Sequence, residues 1–201
     1  MLAVKPQVMR DVVPAYRRFH PGATFLSIAA GTGIAVFEDI LGKDAAIIRC
    51  MPNTPAAIGK GMMVTVSNGN VNEETQAFVH DLLSASGEVA MIGSESLMDA
   101  VTAVSGSGPA YVFHFIECLT AAGEKAGLPT ETARLLAMQT VYGAATLAAE
   151  SGEEPATLRR QVTSPNGTTA AALDVLMGGE RMKMLVEEAV EAARARSAEL
   201  A

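Results

Sequence analysis

Apolar positions along the chain fall into two regimes. In the first part, short apolar runs alternate with stretches whose apolar residues recur at helical spacing. The runs are MLAV at residues 1–4, ATFLSIAAG at 23–31, AAIIRCMPN at 45–53, GMMVTVSNGN at 61–70 and EVAMIG at 88–93. Between them lie PQVMRDVVPAYRRF, a helix interrupted by Pro14, GIAVFEDILG, a short helix closed by Gly42, and NEETQAFVHDLLSASG. That last helix is amphipathic, with Phe78, Leu82 and Leu83 expected on its apolar side. Strands separated by helices predict βαβ units and a mostly parallel sheet.

From Ser94 on, the strand pattern stops. Helices are predicted over 96–103, 109–127, 130–151, 155–163, 168–177 and 180–200. Their punctuation is physically sensible: Gly127 and Pro129 separate two of them, Pro155 stands at a helix start, and Gly178-Gly179 precedes the last. The chain therefore divides into an α/β part, 1–94, and an all-α part, 95–201. It has neither an internal repeat nor a low-complexity tract.

Composition narrows the function classes. Hydrophobic residues make up 49% and charged residues 18% of the 201, which excludes a disordered chain. Few aromatics (4%), 11 Met and abundant Ala point to helices packed closely through small side chains. The net charge of −7, with Lys and Arg scattered, argues against a nucleic-acid or anionic-membrane surface. Cys50 and Cys118 form no CxxC pair, no signal-peptide layout opens the chain, and no run reaches the ~18 apolar residues of a membrane span. A cytoplasmic protein in a reducing compartment is expected.

Three glycine-bearing stretches carry the candidate chemistry. AAGTGIAVFED (Ala29–Asp39) follows a strand and opens a helix, imitating a dinucleotide fingerprint. Its third glycine position holds Val36, however, and no acidic residue ends a second strand about 20 residues on. It reads either as a turn that needs small residues or as one that brushes a cofactor. VSGSGPAYVF (Val104–Phe113) places Ser107 or Gly108 as the cap of a helix with Pro109 in its first turn, where the missing N–H costs nothing. It reads as an anion site or as a tight inter-helix turn. VTSPNGTTAAALDVL (Val162–Leu176) gathers Ser164, Thr168 and Thr169 around Asn166-Gly167 directly before a helix, where a carboxylate or phosphate is welcome. An N-cap with no ligand has the same pattern.

Metal and nucleophile chemistry find little support. The histidines are His20, His80 and His114; the first two read as solvated, the third sits in an apolar helix, and none is read as having a Cys or carboxylate at ligand spacing. No metal site is expected.

The segments AVKPQ, SIAAG, RCMPNTPAAIGKG, AVSGSGPAYVFHFIE, AGLPTETARLLAMQTVYGAA and VTSPNGTTAAALDVL, in this order, resemble pyrroline-5-carboxylate reductases. These enzymes reduce a cyclic imine to proline with NADPH or NADH, the last step of proline biosynthesis. The resemblance implies a Rossmann-type domain, truncated here, followed by an all-helical dimerisation domain. It also implies a homodimer that can assemble into a larger ring, a small-molecule substrate, and no nucleic-acid or membrane partner. Family members carry roughly 65 further residues ahead of AVKPQ, including a GxGxxG turn. Asn166 stands where the family commonly has Gly, and Asn is the next most tolerant residue of a left-handed backbone.

Residue by residue, the resemblance implies that Ala3, Val4, Lys5 and Pro6 lie at a strand end against the cofactor. Ile28, Ala29 and Ala30 line the next strand end, and Asn53 sits near the nicotinamide. Gln161 is a further cofactor contact. Thr102 meets the ring nitrogen as the catalytic residue. Ser164, Gly167, Thr168 and Thr169 hold the substrate carboxylate from the partner subunit, and Ser105, Gly106, Ser107 and Gly108 shape the same cavity. Hydride transfer to an iminium carbon needs positioning, dryness and anion recognition more than a strong nucleophile, so a site without catalytic His, Cys or metal is chemically coherent. The competing function is a non-catalytic dimerising fragment that cannot bind cofactor. A β-hydroxyacid-type dehydrogenase is discouraged by the pairing of SGSGPAY with TSPNGTT.

Overall fold

Most of the short apolar runs become strands of a single sheet. In the computed structural model, which describes residues 1–200, four strands pair in the order β1 (Thr24–Ser27), β2 (Ala46–Met51), β3 (Gly61–Ser67) and β4 (Gly87–Met91). β1 runs parallel to β2, with Thr24 opposite Ala46, and β3 runs parallel to β4, with Gly61 opposite Gly87. β2 and β3 are antiparallel. The sheet is thus mostly parallel, as expected, and the connection explains the one antiparallel pairing. Residues 52–60 hold only a 3₁₀ turn, Thr54–Ile58, too short for the crossover of about a dozen residues that a parallel pair requires.

The opening run forms less than a strand. Leu2 makes one parallel bridge to Ser27, its N–H donating to the Leu26 carbonyl at 2.7 Å and its own carbonyl accepting from Ile28 at 3.1 Å. Lys5-Pro6 ends the pairing there. The expected helix over 6–19 breaks into a 3₁₀ turn at Pro6–Val8, one α-turn, α1 (Met9–Val12), and a second 3₁₀ turn at Val13–Phe19. Pro14 supplies no N–H to an α-ladder.

α2 (Ile34–Leu41) ends at Gly42, whose φ of +125° only glycine adopts without strain. α3 (Glu73–Ser84) is capped by Asn72, whose side chain accepts from the Thr75 N–H at 2.8 Å. Its buried residues are Val79 and Leu83, whereas Phe78 and Leu82 are 66% and 49% exposed. The apolar side read from the sequence is therefore rotated: Val79 and Leu83 form the i, i+4 pair that meets the sheet.

Because side chains alternate across a strand, β2 feeds two cores. Ile47 joins Met9, Val13, Phe37, Leu41 and Met98 on one face; Ile48 and Cys50 join Leu26, Met63, Val79 and Leu83 on the other. Phe37, Leu41 and Val13 are completely buried, each contributing about 1.5–3 kcal/mol.

After β4 come α4 (Met98–Val101), a π-helical turn at Thr102–Gly106, and α5 (Gly108–Lys125). The two helices expected around SGSGP are thus joined by a widened turn rather than by a loop. The others are α6 (Thr130–Glu150), α7 (Pro155–Gln161), α8 (Thr168–Met177) and α9 (Arg181–Leu200). The chain forms two compact units: one is Met1–Pro109 with the stretch from Val190 on, the other Ala110–Ala189.

In the second unit α5 ends in a Schellman arrangement. Gly127 takes φ +101°, Leu128 N–H reaches the Gly123 carbonyl and Gly127 N–H the Glu124 carbonyl. Gly123 lies so close to Ala133 that a Cβ on it would stand 3.2 Å from the Ala133 methyl, the close approach through small residues that the composition suggested. No helix among the described residues is long and apolar enough to cross a membrane.

Candidate functional site

Register brings the first group of candidate residues to one sheet edge. Leu2 is level with Ser27, and Ser27 with Arg49, all in parallel. The carboxyl ends of the three segments therefore lie side by side: Val4-Lys5-Pro6, Ile28-Ala29-Ala30 and Met51-Pro52-Asn53. This is the edge at which parallel sheets present ligand crevices. Ala3, Lys5, Pro6 and Ala30 are exposed, Val4 and Ile28 half-buried, and Ala29 buried. Ser27 is buried and accepts the Ala29 N–H at 3.2 Å, fixing the bend after β1. A surface of Ala, Val and Pro at this edge lets a flat ring approach the backbone.

The π-helical turn meets the same edge. Asn53 Nδ2 donates to the Ser105 carbonyl at 3.2 Å, while Asn53 Oδ1 accepts the Met62 N–H at 2.9 Å. Asn53 thus ties the end of β2 both to β3 and to the turn carrying Ser105, Gly106, Ser107 and Gly108, all half-buried. Within the turn, the Ser107 N–H is spent on the Thr102 carbonyl at 2.8 Å, so this amide is not available to an anion. Thr102 Oγ1 donates to the Met98 carbonyl at 2.9 Å. With its proton committed, the half-buried Thr102 hydroxyl presents lone pairs and acts as an acceptor.

At the Gly31-x-Gly33 turn the structure shows a local need for small residues. Gly31 sits at φ +69°, and a Cβ there would lie 3.0 Å from the Leu200 carbonyl oxygen. The first free amide of α2, on Ile34, donates to Glu95 Oε1 at 2.9 Å. The protein's own carboxylate fills the helix start that a phosphate would use.

Glu95 also receives Arg49 Nη1 at 2.9 Å, and the Arg49 side chain is only 7% exposed. Sequence reasoning passed over both residues. The signal was present: a single arginine inside the apolar run AAIIRCM has to find a partner once buried.

The second group lies in the unit Ala110–Ala189. Asn166 adopts φ +59°, the left-handed conformation expected of it, and Gly167 is the N-cap of α8 with no side-chain cap. A Cβ on Gly167 would stand 3.1 Å from the Ser164 carbonyl oxygen. The Gly167 N–H donates to the Ser164 carbonyl and the Ala171 N–H to the Gly167 carbonyl, so the first α8 amides, on Thr168, Thr169 and Ala170, have no partner among the described residues. Thr169 is half-buried; Ser164 and Thr168 are exposed. Three amides, a helix start and hydroxyls converge, which suits a carboxylate. Gln161 ends α7, exposed, its Nε2 donating to Glu153 Oε2 at 2.6 Å.

Two histidine readings need correction. His114 Nδ1 lies 2.9 Å from Glu117 Oε2 and Nε2 lies 3.6 Å from Cys118 Sγ, because i+3 and i+4 share a helix face. His20 is largely buried and sits 3.0 Å from Asp44. Among the described residues no group of three or more His, Cys, Asp or Glu is arranged to hold a metal ion.

Comparison with known proteins adds the following. Residues 95–200 match the family described as pyrroline-5-carboxylate reductase dimerisation. The chain is 47% identical to the pyrroline-5-carboxylate reductase of Pseudomonas aeruginosa over 202 residues, covering 100% of this chain and 74% of that protein. It is 41% identical to that of Arabidopsis thaliana, with 100% and 72% covered. Among solved structures, a pyrroline-5-carboxylate reductase from Coxiella burnetii superposes with a TM-score of 0.95 at 38% identity, covering 100% of this chain and 74% of that one. The Plasmodium falciparum pyrroline carboxylate reductase with NADP bound gives 0.85 at 36%, covering 98% and 79%.

Proposed function

The chain belongs to the pyrroline-5-carboxylate reductase family, and from that premise we propose that it reduces 1-pyrroline-5-carboxylate to L-proline, the last step of proline biosynthesis, as a cytoplasmic homodimer. A reduced nicotinamide, NADPH or NADH, supplies the hydride when bound. The residues at the sheet edge fit its ring end: Val4, Lys5, Pro6, Ile28, Ala29 and Ala30 offer small, largely apolar surface, and Asn53 keeps the adjoining turn in place.

In this reading the partner subunit's α8 start binds the substrate carboxylate through its free amides and the Thr168 and Thr169 hydroxyls, with Ser164 and Gly167 shaping the loop. Thr102 accepts a hydrogen bond from the protonated ring nitrogen. That contact favours the iminium form, the electrophilic one, and no stronger acid or nucleophile is needed. Ser105, Gly106, Ser107 and Gly108 wall the cavity, and Gln161 is a further contact for the cofactor in the same reading. A homodimer is supported by the apolar surface of the helical unit, where Leu135, Tyr142 and Leu185 are 68%, 65% and 67% exposed. A ring of dimers is a further stage of the same assembly.

The observation that carries the proposal is the presence, in one chain, of a sheet edge where three parallel segments end side by side and of a helix start whose first amides have no partner among the described residues. The test is NAD(P)H oxidation by the purified chain with pyrroline-5-carboxylate, and proline identified as product. Nicotinamide oxidation that depends on the imine supports the proposal; none at millimolar imine overturns it.

A further inference from the structure

Three consecutive same-face residues of β2 and the turn after it each grip a different point of the segment leading into the π-helical turn. Arg49 holds Glu95 at 2.9 Å. Met51 lies against Gly106, where a Cβ would fall 2.5 Å from the Met51 Cε. Asn53 holds the Ser105 carbonyl at 3.2 Å. Positions 49, 51 and 53 alternate with period two, so one strand face reads a strap running from 95 to 106. Midway along that strap Met98, 1% exposed, anchors it in the core, and its carbonyl receives the Thr102 hydroxyl proton.

The contact at Glu95 differs from the others in kind. Its Oε1 accepts two donors, the Arg49 guanidinium and the Ile34 N–H at the start of α2, so it is charge-assisted on one side and dipole-assisted on the other. Glu95 is also the first residue of the strap's 3₁₀ turn, Glu95–Leu97. A π-turn is an irregular segment that persists only where its surroundings dictate it. A strap fixed at its start and at Ser105-Gly106 has little freedom to relax into a regular helix, which would rotate Thr102 away.

We propose that Arg49 and Glu95 are positioning residues for the reaction: their half-buried ion pair at the α2 start fixes the strap that keeps the π-turn, and with it the Thr102 acceptor, in register with the strand ends. Both act through the strap rather than by contact with substrate or cofactor. The inference rests on the proposed reductase reading for its consequence in turnover, but its structural half stands without it.

Two measurements test it. Hydrogen exchange followed residue by residue compares the wild-type chain with Glu95→Gln and Arg49→Lys. Gln keeps the shape and loses the charge, so the strap amides of 97–107 should exchange about tenfold faster while those of β1–β3 keep their rates. Arg49→Lys keeps the charge and should stay within about threefold of wild type. Unchanged strap exchange in Glu95→Gln overturns the proposal, as does acceleration of strap and sheet together, which would mark general loosening.

In turnover, Glu95→Gln should lower kcat about tenfold and leave the KM for NAD(P)H unchanged. In a Thr102→Val background the same change should cost nothing further, since its route runs through Thr102. An additive loss overturns the proposal. If the wild-type chain shows no reductase activity, the functional reading fails and the exchange experiment alone decides the clasp.

Discussion

Replacing Thr169 by Val removes one hydroxyl from the start of α8 and changes little else, because the two side chains have the same shape. The structure sets what remains. The amides of Thr168, Thr169 and Ala170 stay free, and the helix start contributes about 0.3–1 kcal/mol toward an anion regardless of the side chain. In the proposed role the lost hydroxyl donates to a charged acceptor, a bond worth about 1.5–3 kcal/mol, or roughly 10- to 150-fold in affinity at about 1.4 kcal/mol per decade. Thr169 is half-buried rather than enclosed, so the lower part of that range, about 10- to 30-fold, is expected. The carboxylate keeps its charge throughout hydride transfer, so the interaction is equal in ground and transition states and belongs to KM, not kcat. Initial rates with imine varied at saturating NAD(P)H should show a raised imine KM, unchanged kcat and unchanged NAD(P)H KM. Proline, as competing product, should weaken in parallel. A selective loss of NAD(P)H affinity, or an imine KM within twofold of wild type, refutes the assignment of this helix start to the carboxylate.

Three further outcomes follow from buried groups and exposed faces. Burial pushes the Cys50 thiol from its usual 9.0 up to about 12, so the folded state holds a proton that the unfolded chain gives up. Stability is complete below about pH 9 and falls as pH rises, by about 1.4 kcal/mol per unit until the folded thiol itself ionises. Denaturant titrations at pH 8 and pH 10 should show a drop that Cys50→Ala reduces, and an equal drop in both proteins contradicts the burial argument. Gly87→Ala should destabilise by at least about 3 kcal/mol, since a Cβ there overlaps the Gly61 backbone at φ +143°. Gly69→Ala, with open space around it, should stay within about 0.5 kcal/mol of wild type, and urea midpoints compare the two. Tyr142→Asp places a charge on the exposed apolar face of α6 and should shift the chain to monomers in sedimentation velocity; an intact dimer excludes that face from the interface.

The sequence carried most of the local elements and less of their arrangement, for reasons visible at particular residues. Each predicted strand from residue 23 onward forms, because a run such as AAIIRCM is buried on both faces and has no other home. The antiparallel turn between β2 and β3 was nevertheless written in the link length: the stretch from Pro52 to Lys60 cannot hold a crossover helix, a constraint that hydrophobic pattern alone does not register. Phe78 shows the opposite limit. Pattern assigns the bulkiest apolar residue to the core, yet α3 meets the sheet through Val79 and Leu83, since which stripe faces inward is decided by the facing strands.

The candidate site divides along the same line. The α8 start was legible because its signals are contiguous: Asn166 in the left-handed region, a glycine cap and hydroxyls within one turn. The Thr102 turn was legible only as small residues, since its geometry depends on Arg49, Met51 and Asn53 reaching it from a strand some 50 positions earlier. A buried arginine within an apolar strand states that a carboxylate is needed without saying which one. The chain has 16 glutamates, and only the fold singles out Glu95 by bringing Ile34 and Arg49 to the same oxygen. Sites assembled from one segment are therefore read from sequence by their chemistry, whereas sites held in place by a distant strand are read by the unpaired charge that strand has to bury.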